Sequence, residues 1–97
     1  MRRKSNESTL KEAIDRLLKV YKLEDKLREV EVLKSWEELM GRAVALRTKE
    51  IYIDNQVLYV KMDSSVLRDE LSRAKSKIKE KINEKAGKEL IKDVWFA

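Results

Sequence analysis

Residues 48–87 read TKEIYIDNQVLYVKMDSSVLRDELSRAKSKIKEKINEKAG, and the apolar period changes once along them. Up to Met62 it is two. Ile51 and Ile53 alternate with Glu50, Tyr52 and Asp54, then Leu58, Val60 and Met62 alternate with Val57, Tyr59 and Lys61. Period two is the mark of a strand with one buried face. A two-residue turn at Asn55-Gln56 makes a hairpin that pairs Ile53 with Leu58 and Ile51 with Val60 on the buried face. It pairs Tyr52 with Tyr59 and Glu50 with Lys61 on the other. A one-residue slip would invert both sets, so the pattern itself sets the register. Asn accepts the positive φ such a turn needs more readily than Gln56 does.

From Ser64 the period is three and four. Leu67, Leu71, Ala74, Ile78 and Ile82 share one face, which predicts one long helix over 64–87. Ser64 or Ser65 caps its start by accepting an otherwise unpaired backbone N–H. Gly87 ends it, where a left-handed residue is needed. Arg73, Lys77 and Lys81 border the apolar face on one flank, and Arg68, Lys75 and Lys79 on the other.

Upstream, Thr9 followed by Glu12 fits a capping box, with residues 1–8 expected as a flexible basic arm ahead of a single domain over 9–97. Leu10, Ala13, Ile14, Leu17, Leu18 and Tyr21 then mark a helical face. Leu23, Leu27, Val30, Leu33 and Trp36 mark a second, with Val32 close to the same stripe. Gly41 ends this helix or sits inside it at a close approach. Residues 43–46 read as one more turn. Downstream, Ile91 to Phe96 reads as a third strand, with Val94 and Phe96 inward and Trp95 outward. The expected fold class is α+β, in the order α-α-β-β-α-β, with a three-stranded sheet and helices on one face.

The chain has 97 residues, of which 42% are apolar and 42% charged, enough for one modest core. It has no Cys and no His, which removes disulfides, thiol chemistry and the usual zinc sites. No apolar run approaches the ~20 residues of a membrane span, and the protein is expected in the cytoplasm, associated with the nucleoid. Net charge is +5. Residues 64–88 hold eight Lys or Arg against four Asp or Glu, a local +4, and Arg2, Arg3 and Lys4 add +3. The remainder of the chain is therefore net acidic by two charges, and this asymmetry points to a polyanionic partner.

Catalysis finds little support. The common general bases and nucleophiles are missing, there is no Gly-rich phosphate loop, and Glu37 and Glu38 gather no further ligands. No enzyme, metal or cofactor is expected. Asp69 with Arg73 and Glu84 with Lys88 have the i, i+4 spacing of surface ion pairs. The candidate nucleic-acid-binding residues are Arg68, Arg73, Lys75, Lys77, Lys79 and Lys81, with Arg2, Arg3 and Lys4 on the arm. Lysines also flank apolar stripes simply because their methylenes cover the edges. Tyr52, Tyr59 and Trp95 share the outer strand face. They suit stacking on bases or receiving a partner protein, and also ordinary cross-strand pairing. Two alternatives stay open on the residues alone: a protein-interaction module without nucleic-acid contact, and an RNA-binding domain.

Trp36 with Gly41, Ala45 and Thr48 behind it, then Leu58-Tyr59-Val60, then Ser64-Ser65-Val66-Leu67-Arg68-Asp69-Glu70-Leu71, resembles the DciA-type family of bacterial proteins. The resemblance runs from Thr9 to Phe96. It implies a fold similar to the K-homology domain. It also implies a part in loading the DnaB-type replicative helicase, with that helicase and single-stranded or forked DNA as partners. Two departures stand out: many family members continue into a long C-terminal extension, and this chain lacks the Gly-x-x-Gly loop with which K-homology domains clamp a nucleic-acid backbone. Contact with DNA would then fall to the basic helix or the arm.

Overall fold

The computed structural model describes residues 2–21 and 23–97, with side chains described from residue 9 onward within those ranges. The sheet is organised on β2 (Val57–Met62), which pairs antiparallel with β1 (Thr48–Asp54) and parallel with β3 (Asp93–Phe96). The hairpin register is the one the alternation predicts: Ile53 opposes Leu58, Ile51 opposes Val60, Tyr52 opposes Tyr59 and Glu50 opposes Lys61. Asn55 and Gln56 both take positive φ, 48° and 63°, as a tight turn that matches strand twist requires. The register shifts between Thr48 and Glu50, which leaves Lys49 as an extra residue.

The pleat of β2 sends Leu58, Val60 and Met62 to one side, where all three are buried. Val94 and Phe96 of β3 lie on the same side, also buried, and Trp95 points the other way. Ile91 is fully buried but precedes the strand, which starts at Asp93 rather than Ile91. The covering layer consists of α5 (Ser65–Arg73) and α6 (Lys75–Ala86) with α2 (Leu23–Lys34), α3 (Trp36–Met40) and α4 (Arg42–Leu46) beside them. These elements make the two-layer α+β arrangement the sequence predicts, consistent with a small K-homology-like domain.

The expected single helix over 64–87 is instead two. Ser64 caps the first, its hydroxyl accepting the Leu67 N–H at 3.3 Å. At Ala74 (φ −104°, ψ 17°) the backbone leaves the helix, and the Ala74 N–H reaches back three residues to the Leu71 carbonyl at 3.0 Å. An unbroken helix of this length would run about 36 Å at ~1.5 Å per residue. A six-residue strand runs about 20 Å. The break lets Leu67 and Leu71 in one segment, and Ile78 and Ile82 in the other, each reach the core. Gly87 closes α6 in the left-handed region (φ 75°, ψ 14°).

The return to β3 is held by Asn83. Its Oδ1 accepts the N–H groups of Leu90 (2.9 Å) and Ile91 (3.0 Å), and its Nδ2 donates to the Ile91 carbonyl (3.0 Å). A second bracket holds Trp36, which is 4% exposed. Its Nε1–H donates to Thr48 Oγ1 at 3.1 Å, and that hydroxyl donates to the Val44 carbonyl at 2.8 Å. Gly41 ends α3 at φ 90°, ψ 163°, a region essentially reserved for glycine. This permits the sharp turn into α4.

Three expectations at the N-terminal side are corrected. The first helix, α1, spans Arg2–Val20, so Thr9 and Glu12 lie inside it and do not form its cap. Its apolar face is not part of the core: Leu10, Ile14 and Leu17 are about half exposed or more. In α2 the expected single stripe is split. Val32 is buried and Leu33 half-buried on one side, whereas Leu23, Leu27 and Val30 stay exposed. The predicted surface pairs also differ. Neither Asp69–Arg73 nor Glu84–Lys88 forms; Arg68 lies 3.9 Å from Asp69, and Lys88 pairs with Asp25 at 2.7 Å, tying α2 to the end of α6.

Two stability measurements check these brackets. Gln56→Gly removes a left-handed cost of about 1–2 kcal/mol and adds about 0.5–1 kcal/mol of unfolded-chain entropy. The net expectation is a gain of about 0.5 kcal/mol, read as a higher urea midpoint at unchanged slope. Asn83→Ala strips the acceptor from two buried backbone N–H groups at about 1–3 kcal/mol each. A loss of about 2–4 kcal/mol is expected in the same assay, and a loss below about 0.5 kcal/mol would mean the loop is held by its apolar side chains alone.

Candidate nucleic-acid and partner interface

The break at Ala74 reorganises the basic residues. Helical rotation of ~100° per residue puts Lys75 and Lys79 on the flank of α6 next to β3, both half-buried, and Lys77 and Lys81 on the opposite flank. Lys81 Nζ donates to the Leu39 carbonyl of α3 at 3.1 Å, which keeps its charge but directs it toward the helical layer. Glu80 and Glu84 lie exposed on the outer ridge between the flanks. The basic residues of α6 therefore form two strips separated by carboxylates. Arg68 and Arg73 belong to α5, whose helical frame does not carry through Ala74. Arg73 is exposed and Arg68 half-buried. The helix backbone includes Arg2, Arg3 and Lys4, but their side chains lie outside the described residues.

Among the described residues, Arg73, Lys75, Lys77, Lys79 and Lys81 make no ion pair; of the six predicted cations only Arg68 has a carboxylate within 4 Å, at a long 3.9 Å. The positive charge of the strips is thus left to solvent. On the β3 side, Lys75, Ser76 and Lys79 line a cleft of about 60 Å³ with Lys92 and Asp93. Three ammonium groups face one carboxylate there, and Asp93 Oδ1 is already engaged by the Val94 N–H at 2.8 Å. Lys92 was not legible as part of this group. It lies outside the helical pattern, and only the parallel pairing of β3 brings it alongside α6.

The outer sheet face carries the predicted aromatics in one row. Tyr52 and Tyr59 oppose each other across the hairpin, and Tyr59 registers with Trp95 on the parallel side. The tyrosine rings stack with centroids 4.9 Å apart and planes at 17°. Tyr52 is 45% and Trp95 55% exposed. With Glu50 and Lys61 they border an open groove of about 290 Å³. Lys75 Nζ sits 5.4 Å from the Trp95 ring centroid, a cation–π contact. Strip and row, predicted as separate features, therefore meet at Trp95.

Among the described residues no group of three His, Cys, Asp or Glu side chains is placed to hold a metal ion, and Glu37 and Glu38 stand exposed at the start of α3. No helix among them is long and apolar enough to cross a membrane. No curated protein and no solved structure matches the chain. Residues 9–96 match the family model described as Dna[CI] antecedent, DciA. The match spans nearly every element from α1 to β3, including the Trp36–Thr48 bracket and the capped start of α5, and the chain belongs to the DciA family.

Proposed function

We propose that this protein is a non-enzymatic DNA-replication accessory factor that binds the DnaB-type replicative helicase and DNA and promotes loading of the one onto the other. It works without a cofactor, in the cytoplasm at the nucleoid. Family membership over residues 9–96 supports the replication role. The observation that carries DNA contact is the junction at Trp95, where Lys75 lies over the indole and Lys79 and Lys92 border the same cleft. Single-strand binders join these two parts: cations that track phosphates and ring faces on which bases stack. Arg73, Lys77, Lys81, Arg68 and the N-terminal Arg2, Arg3 and Lys4 extend the electrostatic footprint. They act at longer range and without sequence preference.

Helicase contact falls to the same outer face. Tyr52, Tyr59 and Trp95 offer large, rigid, partly exposed rings of the kind that anchor protein interfaces. DNA and helicase then compete for, or share, one row of aromatics, which suits a factor that hands one to the other.

Affinity for single-stranded or forked DNA should fall linearly with salt on logarithmic axes, by about 0.7 in slope per phosphate contact. Charge reversal at Lys75, Lys79 and Lys92 should flatten that line by about two and weaken binding across all sequences. Reversal at Arg73, Lys77 and Lys81 should have a smaller effect. A salt-independent affinity would remove the DNA contact, and tighter binding to RNA of the same sequence would reassign the site. Tyr59→Ala combined with Trp95→Ala should abolish capture of purified replicative helicase while leaving a folded chain that still unfolds cooperatively in urea, with a stability loss of about 1–3 kcal/mol. Undiminished capture would move the helicase surface off the sheet.

A further inference from the structure

The two edges of the sheet differ. β3 is four residues long, and Lys75 reaches from the helical layer to the Trp95 ring on the opposite face, so its side chain passes around that edge. β1, seven residues long, is the other edge. The backbone bonds of β2 fix which groups of β1 are free. The Met62 N–H donates to the Ala97 carbonyl and the Ala97 N–H to the Val60 carbonyl, both at 2.9 Å, so the even residues of β2 bond to β3. Its odd residues, Val57, Tyr59 and Lys61, then bond to their partners Asp54, Tyr52 and Glu50. Ile51 and Ile53 are left with N–H and C=O directed away from the sheet, and no other described residue bonds to them. The extra residue Lys49 interrupts the alternation, so an added strand can pair regularly only along 50–54. Outward along that stretch lie Glu50, Tyr52 and Asp54, all exposed. Among the described residues neither Glu50 nor Asp54 makes an ion pair; Lys61 opposes Glu50 without coming within 4 Å.

We infer that the free edge of β1 receives an extended segment of a partner protein as a fourth strand, and that this segment carries Lys or Arg at two positions four residues apart. The N–H and C=O groups of Ile51 and Ile53 supply the main-chain bonds of such an addition, and the side chains beside them supply the choice of partner. Residues four apart on a strand share a face. Two cations at that spacing therefore meet Glu50 and Asp54 together, and the residue midway between them lies beside the Tyr52 ring. The two remaining residues lie beside Ile53 and Ile51, which are half-buried, and are apolar. This order of basic, apolar, aromatic, apolar, basic reads the same in both directions, so it holds for a parallel or an antiparallel addition. A second copy of the chain does not fit the edge. Two-fold pairing of β1 with β1 along the whole of 50–54 is centred on Tyr52 and sets Glu50 of each copy against Asp54 of the other, and like charges directly opposite are destabilising. The same carboxylates that keep the edge from pairing with itself thus select a basic strand. Neither DNA nor the Lys75 cleft enters, so the inference stands apart from the function proposed above.

The test is a titration of the full, isotopically labelled chain with a synthetic peptide, Ser-Thr-Lys-Val-Tyr-Val-Lys-Thr-Ser, followed by amide NMR and hydrogen exchange. The Ile51 and Ile53 amides should shift and exchange more slowly, while those of Tyr52 and Tyr59, already inside the ladder, keep their exchange rates. The peptide with both Lys replaced by Glu should bind about tenfold more weakly. In a chain carrying Glu50→Lys with Asp54→Lys, both at exposed positions, the preference should reverse in favour of the Glu peptide. A chain with Lys75, Lys79 and Lys92 reversed in charge should bind the Lys peptide as the parent does. No shift at Ile51 and Ile53 by about 1 mM peptide overturns the inference. So do equal affinities for the two peptides, or a preference that survives the double substitution, either of which would mean that the carboxylates select nothing. Slow exchange of both amides before any peptide is added, in a chain that runs as a dimer, would give the edge to a second copy and overturn it as well.

Discussion

The pleat of β2 is the constraint on which the rest depends. Because it is the central strand, it is hydrogen-bonded on both edges and cannot rotate its side chains relative to its neighbours. Leu58, Val60 and Met62 must therefore enter the core together, and Val57, Tyr59 and Lys61 must leave it together. Ile51, Ile53, Val94 and Phe96 follow on one side, and Tyr52 and Trp95 on the other. The core and the aromatic row are two results of one alternation. A side chain on the outer face cannot be traded for one on the inner face without disturbing both.

The helical layer meets a different demand, that both halves of the segment after the hairpin reach the core. The chain leaves the helix at Ala74, and Leu67 and Leu71 on one side of it and Ile78 and Ile82 on the other all pack there. The break turns one amphipathic face into two. It also lets the first two turns of α6, with Lys75 and Lys79, sit against β3. Here charge and ring meet: the ammonium of Lys75 gains from the electron-rich indole face without a carboxylate to neutralise it. On the other flank, Lys81 is drawn to a backbone carbonyl and away from the sheet. The same residue type thus serves different purposes on the two flanks of one helix.

What could be read from the sequence was what local periodicity controls. The hairpin register, the Asn55-Gln56 turn, the Ser64 cap, the left-handed Gly87 and the burial of Trp36 all follow from rules that act over a few residues. The break at Ala74 could not be read, because Ala is a strong helix former and nothing in its neighbourhood marks a stop. Asn83 is hidden for the opposite reason. Its position in the helix looks solvent-facing, and its partners, Leu90 and Ile91, come into reach only after the chain reverses at Gly87. At the site, the aromatic row was legible from alternation alone. Lys92 was not, since its proximity to Lys75 and Lys79 is created by a parallel strand pairing. The apolar stripe of α1 was legible as a stripe, but a stripe specifies only that something covers it, not which surface does.

The parallel pairing of β2 with β3 has a bearing on how the chain is made. Leu58 and Val94 stand side by side, yet 36 positions (94 − 58) separate them in sequence. The β1–β2 hairpin can form as soon as it clears the ribosome, but its inner face stays uncovered along one edge until α5, α6 and the turn at Gly87 have followed it out. For that interval the edge of β2 is an unpaired row of amide and carbonyl groups beside bare leucine and valine, the condition in which strands of neighbouring nascent chains join. Glu50 and Lys61 at one end of the hairpin, and the extra residue Lys49, place charge along this exposed ribbon at the stage when the later strand is not there to protect it.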